Sequence, residues 1–296
     1  MRHLAAVAVC VVVACSSAAG EEGLSVLAHT DYAVVAGRPE ARPLAGRVAA
    51  LVDEAVPLLA PIVGTSDLRP VQAVIYLDRG EFAKATGISP RSRIVGLATF
   101  PAAVIHIDGT ELLADVERVV PHEVRHIMIA RALGPALPSA PVWLCEGIAE
   151  YAAGERASQV DPVALRAIGR GSSLHLDELD GAFRVGGGEA GLAYAEAASV
   201  VNFLVAERGE PVIAELLSSL AKTGDPEASL RELTGWTNAD LETAWRRSVS
   251  RRWRWPLLFD SPALIYGLMV FLFAAGLARY LRDRRRRRQE MDGRDW

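Results

Sequence analysis

The chain has 296 residues, 51% of them hydrophobic, with a formal net charge of −4, enough for one sizeable core with segments left over. With the two ends set aside, residues 21 to 278 keep 23 basic and 32 acidic side chains, a net of −9. That balance argues against nucleic acid as a partner.

Residues 1–20, MRHLAAVAVCVVVACSSAAG, place Arg2 before an apolar run from Leu4 to Ala14 and then small residues that suit a signal peptidase. An export signal is expected there. Val12, Val13 and Ala14 before Cys15 also resemble a bacterial lipobox, which would leave Cys15 lipidated; the competing cut lies after Ala19. Since Cys10 and Cys15 belong to this segment, Cys145 is the single cysteine of the exported part, and no intramolecular disulfide is open to it.

Residues 21–255 show neither linker nor repeat, so one domain with two lobes is expected. Leu24 to His29 and Tyr32 to Val35 are short extended segments. From Leu44 to Val63, apolar residues at Val48, Leu51, Val52, Val56, Leu58 and Leu59 predict an amphipathic helix. VQAVIYL, residues 71 to 77, reads as a buried strand and Glu81 to Thr86 as a short helix. RIVGLATF and AAVIHID, parted near Pro101, predict two more strands, so a small mixed sheet results.

From Glu111 to Leu133 the period turns helical, with Leu112, Val116, Val119, Val120, Val124, Ile127 and Ile129 three or four apart. Pro121 is expected to bend this helix, and Gly134 and Pro135 to end it. Beyond Pro141 the pattern predicts helices at about 143–154, 162–169, 190–208, 210–222, 226–234 and 238–253. A strand-rich front half and a helical back half give an α+β domain.

Ser261 to Ala278, SPALIYGLMVFLFAAGLA, carries no charge, follows Trp253 and Trp255, and leads directly into Arg279, Arg282 and Arg284 to Arg288. A transmembrane helix over 256–281 and a basic cytoplasmic tail over 282–296 are expected; a buried core helix would not explain the arginine block. Arginines precede the span as well, so the export signal decides the orientation and puts the bulk of the protein outside the cytoplasm.

His122-Glu123-Val124-Arg125-His126 lies on the helix over 111–133. Side chains four apart share one helical face, so both imidazoles can aim at one ion while Glu123 projects beside them towards a water. Two histidines and a carboxylate on so apolar a helix are costly to bury without partners, and a metal supplies one. Catalytic zinc takes a third protein ligand and keeps an open position. Glu146, in PVWLCEGIAEY, follows after a Gly- and Pro-rich turn that lets a second helix lie against the first. Glu150, one turn later, shares its face and can accept a hydrogen bond from a ligand histidine, and Gly147 permits close helix approach.

HEVRH followed by WLCEGIAEY resembles the gluzincin zinc metallopeptidases, the branch that includes thermolysin and the aminopeptidase N family, and is most similar to the small exported peptidase MA-like proteins. The resemblance implies a zincin-like domain, its small mixed sheet packed on the active-site helix, with a helical C-terminal lobe. It implies His122, His126 and Glu146 as zinc ligands, Glu123 as the general base, and Glu150 as the acid that supports a ligand histidine. LAYAEAASVVNFL, residues 192 to 204, looks like the aminopeptidase stretch whose tyrosine donates to the oxyanion, and Tyr194 occupies that place; an aromatic that merely starts a core helix fits Tyr194 equally. The Gly-x-Met-Glu-Asn strand by which aminopeptidases hold a free amine is absent, GLATF (residues 96 to 100) standing as the corresponding edge strand, so an endopeptidase is at least as well supported.

The expected activity is therefore hydrolysis of peptide or protein substrates at a membrane surface, with Glu123 moving the proton from a zinc-activated water to the leaving amine. The rival expectation is a catalytically silent zinc-binding or scaffold module. His106 reads as structural, His29 and His175 lack a ligand pattern, Cys145 should point away from the metal, and Gly186 to Gly188 lacks the context of a phosphate cradle.

Overall fold

The computed structural model describes residues 23–154, 157–185, 188–253 and 262–292. The expected signal, with Cys10 and Cys15, lies outside the described residues. Two compact units divide the chain, one ending at Ser248 and one beginning at Val249.

The first unit opens with a five-stranded sheet in the order β1-β2-β3-β5-β4, formed by Ser25–His29, Ala33–Gly37, Val71–Tyr76, Gly96–Thr99 (β4) and Val104–Asp108 (β5). β2, β3 and β5 run parallel, and β1 and β4 pair antiparallel at the two edges, so the sheet is mixed and small. β4 is shorter than the sequence pattern suggests, Gly96–Thr99 rather than the whole of RIVGLATF. Helices α1 (Arg42–Val63), over β1 and β2, and α3 (Leu113–Leu133), over β4 and β5, pack on each other, and Ala73, Ile75, Ile105 and Ile107 of the central strands are buried; α2 (Arg79–Thr86) packs Phe82 in a cluster with Val74, Tyr76 and Val104. β4 and β5 are buried along their whole length and β3 at all but Gln72, which is why these strands read as nearly continuous apolar runs, whereas β1 is largely exposed and β2 alternates.

α3 continues through Pro121 to Leu133, and the connection after it is a 3-10 segment, Gly134–Ser139, rather than an open turn. The helical lobe follows: α4 (Val142–Ala152), α5 (Ala157–Arg170), α6 (Leu176–Val185), α7 (Gly188–Arg208), α8 (Pro211–Thr223), α9 (Pro226–Thr234) and α10 (Asn238–Trp253). α6 was not expected from the sequence. LDELDGAFRV carries Gly181 in its middle and runs into a glycine cluster, so its pattern is loop-like, yet Leu176, Leu179 and Phe183 are each about 1% exposed and face the core. Tertiary burial outweighs local propensity there. Gly188, expected in a loop, belongs to α7; Gly186 and Gly187 lie outside the described residues.

The second unit contains α11 (Pro262–Asp292). The expected transmembrane helix over 256–281 lies partly outside the described residues, and among the described residues no helix is long and apolar enough to cross a membrane. What α11 does show is a row of exposed apolar side chains, from Tyr266 through Leu268, Met269, Val270, Phe271, Leu272 and Phe273 to Leu277.

Candidate metal centre

α3 carries the histidine pair and reaches the site because it lies close over the edge strand β4. Gly96 makes that approach possible: a Cβ there would stand 2.5 Å from Val119 Cγ1. One turn on from Val119 is Glu123, and two residues on from Gly96 is Ala98, whose backbone N–H donates to Glu123 Oε2 at 2.8 Å. The alternation of the β4–β5 ladder explains why that amide is available. Asp108 N–H bonds to Val95 C=O, so the partner pairs Leu97 with His106 and Thr99 with Val104 are the hydrogen-bonded ones, while the backbone groups of Gly96 and Ala98 point outward from the sheet.

α4 supplies the acid. It packs most extensively on α7, and Gly147 sits at the crossing, where a Cβ would meet Ala197 C=O at 2.6 Å and Val201 Cγ2 at 2.8 Å. The close approach expected at Gly147 therefore exists, with α7 as the helix approached. Trp143, Leu144, Ile148 and Ala149 are buried, as expected of core formers, and Glu146 is fully buried among them.

The structure brings His122, His126 and Glu146 together, their ligating atoms all within 4.8 Å of one another. The two Nε2 atoms are 3.0 Å apart, and Glu146 Oε2 stands 3.6 Å from His122 Nε2 and 3.3 Å from His126 Nε2. Both Glu146 carboxylate oxygens are buried without a hydrogen-bond partner. A buried carboxylate with no donor is costly, and two imidazole nitrogens converging on it leave room for a cation to satisfy all three. The donor set of two histidines and one glutamate is one that zinc accepts. These residues fit a divalent metal.

Electrostatics within the cluster follow from burial and from Glu146. Burial pushes Glu123 up to about 7, opposed by the His126 charge and the Ala98 N–H and reinforced by Glu146. Burial holds His122 well below its ordinary value, with the neighbouring His126, Arg125 and Arg118 charges adding to the effect. At His126 burial also acts downward, but the negative charge of Glu146, whose Oε2 stands 3.3 Å from Nε2, with Glu123 and Glu150 behind it, prevails and raises it to about 9. Glu146 thus draws positive charge to His126, while burial disfavours it at His122.

Glu150 Oε1 stands 3.5 Å from His122 Nδ1, the ring nitrogen away from the cluster. Tyr194, half-buried on α7, has its ring edge-on to His122 at 6.5 Å and to Phe183 of α6 at 5.0 Å. His106 lies outside the cluster, as expected. It is buried on β5, with Nδ1 2.9 Å from Tyr76 Oη and Nε2 3.2 Å from Thr99 Oγ1, and burial lowers it to about 4. His175 is exposed and paired with Glu242 at 2.8 Å, and Cys145 is a buried thiol, not in a disulfide, outside the cluster. Two contributors escaped the sequence reading: the Ala98 amide, because a backbone donor leaves no residue-type signal, and Asp180, whose carboxylate accepts from the N–H groups of Val142 and Trp143 at the start of α4.

A small mixed sheet, a helix bearing the histidine pair over its edge strand and a second helix bearing the acid define the architecture of a metallopeptidase-type α+β domain. The chain belongs to the peptidase MA superfamily, whose family model matches residues 51–251. That family points to a peptidase, a hydrolase typically dependent on a metal. Comparison with curated proteins and with solved structures finds no match.

Proposed function

We propose that this protein is a zinc-dependent peptidase of the gluzincin kind, held at a membrane surface with its catalytic unit outside the cytoplasm. The observation that carries the reading is Glu146: a fully buried carboxylate, both oxygens unpartnered, facing two Nε2 atoms with Glu123 alongside. Zinc bound by His122, His126 and Glu146 would supply the Lewis acidity that polarises a water and a peptide carbonyl.

The chain's own residues do the rest. Glu123 Oε2 is tethered by the Ala98 N–H, so Oε1 takes the proton of the attacking water and returns it to the leaving amine. A proton affinity raised to about 7 by burial suits a group that must do both near neutral pH. Tyr194 donates to the developing oxyanion, and Glu150 orients His122. The outward N–H and C=O of Gly96 and the C=O of Ala98 offer an extended peptide an edge to pair with, the Ala98 N–H being held by Glu123. With no amine-holding Gly-x-Met-Glu-Asn strand, internal peptide bonds are the favoured substrates over free N-termini.

The anchor rests on the uncharged run from Ser261 to Ala278 and the arginines that follow it. A helix with exposed apolar side chains on all sides needs a cover, and a bilayer provides one.

The test is metal analysis and peptide-library cleavage on the full chain and on Glu123→Gln. The expected result is one zinc per chain in both proteins, with cleavage lost by roughly 100-fold or more in the variant. Zinc in the unaltered chain without cleavage of any peptide would overturn the enzyme reading in favour of a binding module. Undiminished turnover in Glu123→Gln would overturn the base assignment.

A further inference from the structure

α4 begins without a cap of its own. Its N-cap residue is Pro141, which has no side-chain acceptor, and the N–H groups of Leu144 and Cys145 already turn back to Pro141 C=O. Val142 and Trp143 are left as orphan donors at the start of the helix. Both are taken by Asp180, half-buried on α6, with Oδ2 accepting from Val142 at 3.0 Å and Oδ1 from Trp143 at 2.8 Å. The cap is therefore borrowed from a helix that starts more than thirty residues later.

The first turn so held is the one on which Glu146 stands, since Glu146 opens the second turn and its N–H lies one turn above Val142 C=O in helical geometry. If that turn frays, the carboxylate loses its fixed direction towards the two histidines. The same helix α6 also presents Phe183, one turn after Asp180, to the ring of Tyr194. One short helix thus steadies an acid on α4 and a phenol on α7.

We propose that Asp180 is a positioning residue for Glu146, setting the affinity of the centre for its metal through the first turn of α4. The proposal rests on the metal reading above and goes beyond it, since Asp180 touches none of the ligand side chains among the contacts the structure shows. Asp225 provides the comparison. Its carboxylate likewise accepts two backbone N–H groups, those of Glu227 and Ala228, at the start of α9, which carries none of the cluster residues.

The experiment titrates Zn2+ alone into the full-length protein against a competing chelator, well below the melting temperature, for the unaltered chain, Asp180→Ala, Asp180→Asn and Asp225→Ala. Asp180→Ala is expected to bind zinc about 10-fold to 100-fold more weakly, the range found when groups that orient metal ligands are removed. Asp180→Asn keeps one acceptor oxygen and is expected to lose about threefold, since Asn is itself a good cap. Asp225→Ala is expected to lose comparable thermal stability with zinc affinity unchanged. Unaltered zinc affinity in Asp180→Ala, or an equal loss in Asp225→Ala, would overturn the proposal while leaving the metal centre standing. If Asp180→Ala does not fold, Asp180→Asn decides, and affinity equal to that of the unaltered chain overturns it. Failure of the unaltered chain to bind zinc would instead overturn the metal reading itself, and this proposal with it.

Discussion

The amide of Ala98 donates to Glu123 Oε2 at 2.8 Å, which ties the outer edge of the sheet to the residue proposed as the base. This N–H points away from β5, so replacing Ala98 by proline removes the bond to Glu123 without removing a bond of the ladder, the ring Cδ taking the place of the donated hydrogen and displacing Oε2 from it. The bond favours the charged carboxylate, so its loss raises the proton affinity of Glu123 further above the usual carboxylate range. Ala98→Pro is expected to move the acid limb of the kcat/KM profile to higher pH by roughly one unit, the size of one hydrogen bond to a charged group. A pH–rate series on both proteins checks this, and a limb that stays in place would mean the amide does not tune the base.

Much of this arrangement could be read from residue types. The period of 3.6 through Glu111 to Leu133 and the four-residue spacing of His122 and His126 are local, so they survive in a linear reading. Glu146 is equally visible because its neighbours Trp143, Leu144, Ile148 and Ala149 are so apolar that a carboxylate among them needs a reason. What escaped is non-local. α6 is held by burial of Leu176, Leu179 and Phe183 rather than by propensity, and with α6 unrecognised, nothing marked Asp180 as the cap of another helix. Gly96 gave no sign that α3 would lie against it, since the meaning of a missing Cβ depends on Val119, which is distant in the chain.

Gly147 has no room for a methyl group. The nearest atom to its hypothetical Cβ is a backbone oxygen, Ala197 C=O at 2.6 Å, which cannot swing aside as a side chain would. Gly147→Ala is expected to push α4 and α7 apart, lowering stability by roughly 1–3 kcal/mol. It should also weaken zinc binding, because Glu146 adjoins the contact. Denaturant unfolding and zinc titration test the two effects, and an unchanged unfolding midpoint would show that the helices do not meet this closely.

Glu146 sets the consequence of metal removal. With both oxygens buried and only the two imidazole Nε2 atoms facing them, its charge in the folded protein would be balanced by a bound cation. Chelation is expected to lower the melting temperature, the lost stabilisation being about 4 kcal/mol at metal a thousandfold above its Kd. Glu146→Gln should bind metal poorly and melt at the same temperature with or without chelator. Its metal-free form should be more stable than the metal-free unaltered chain, because no charge is then buried. Differential scanning calorimetry with and without chelator resolves the four cases, and a chelator-insensitive unaltered chain would contradict the assignment.

His106 supplies a pH dependence independent of the metal. Its ring lies between Tyr76 Oη at Nδ1 and Thr99 Oγ1 at Nε2, and Thr99 Oγ1 in turn reaches Val104 C=O at 3.4 Å. A neutral ring satisfies this chain when Tyr76 donates to Nδ1 and Nε2–H donates to Thr99; a protonated ring would face the Tyr76 hydroxyl with a second N–H and disrupt it. Burial accordingly lowers the group from 6.5 to about 4. Because the unfolded chain binds this proton more readily, the stabilisation is fully present above pH 6.5 and is lost as pH falls towards 4. The expected loss between pH 7 and pH 5 is roughly 2 kcal/mol. His106→Gln keeps an acceptor and a donor but cannot titrate, so its stability should be lower at pH 7 and nearly flat across that interval. Urea unfolding of both proteins at the two pH values measures the difference, and parallel pH dependences would show that His106 is not the group responsible.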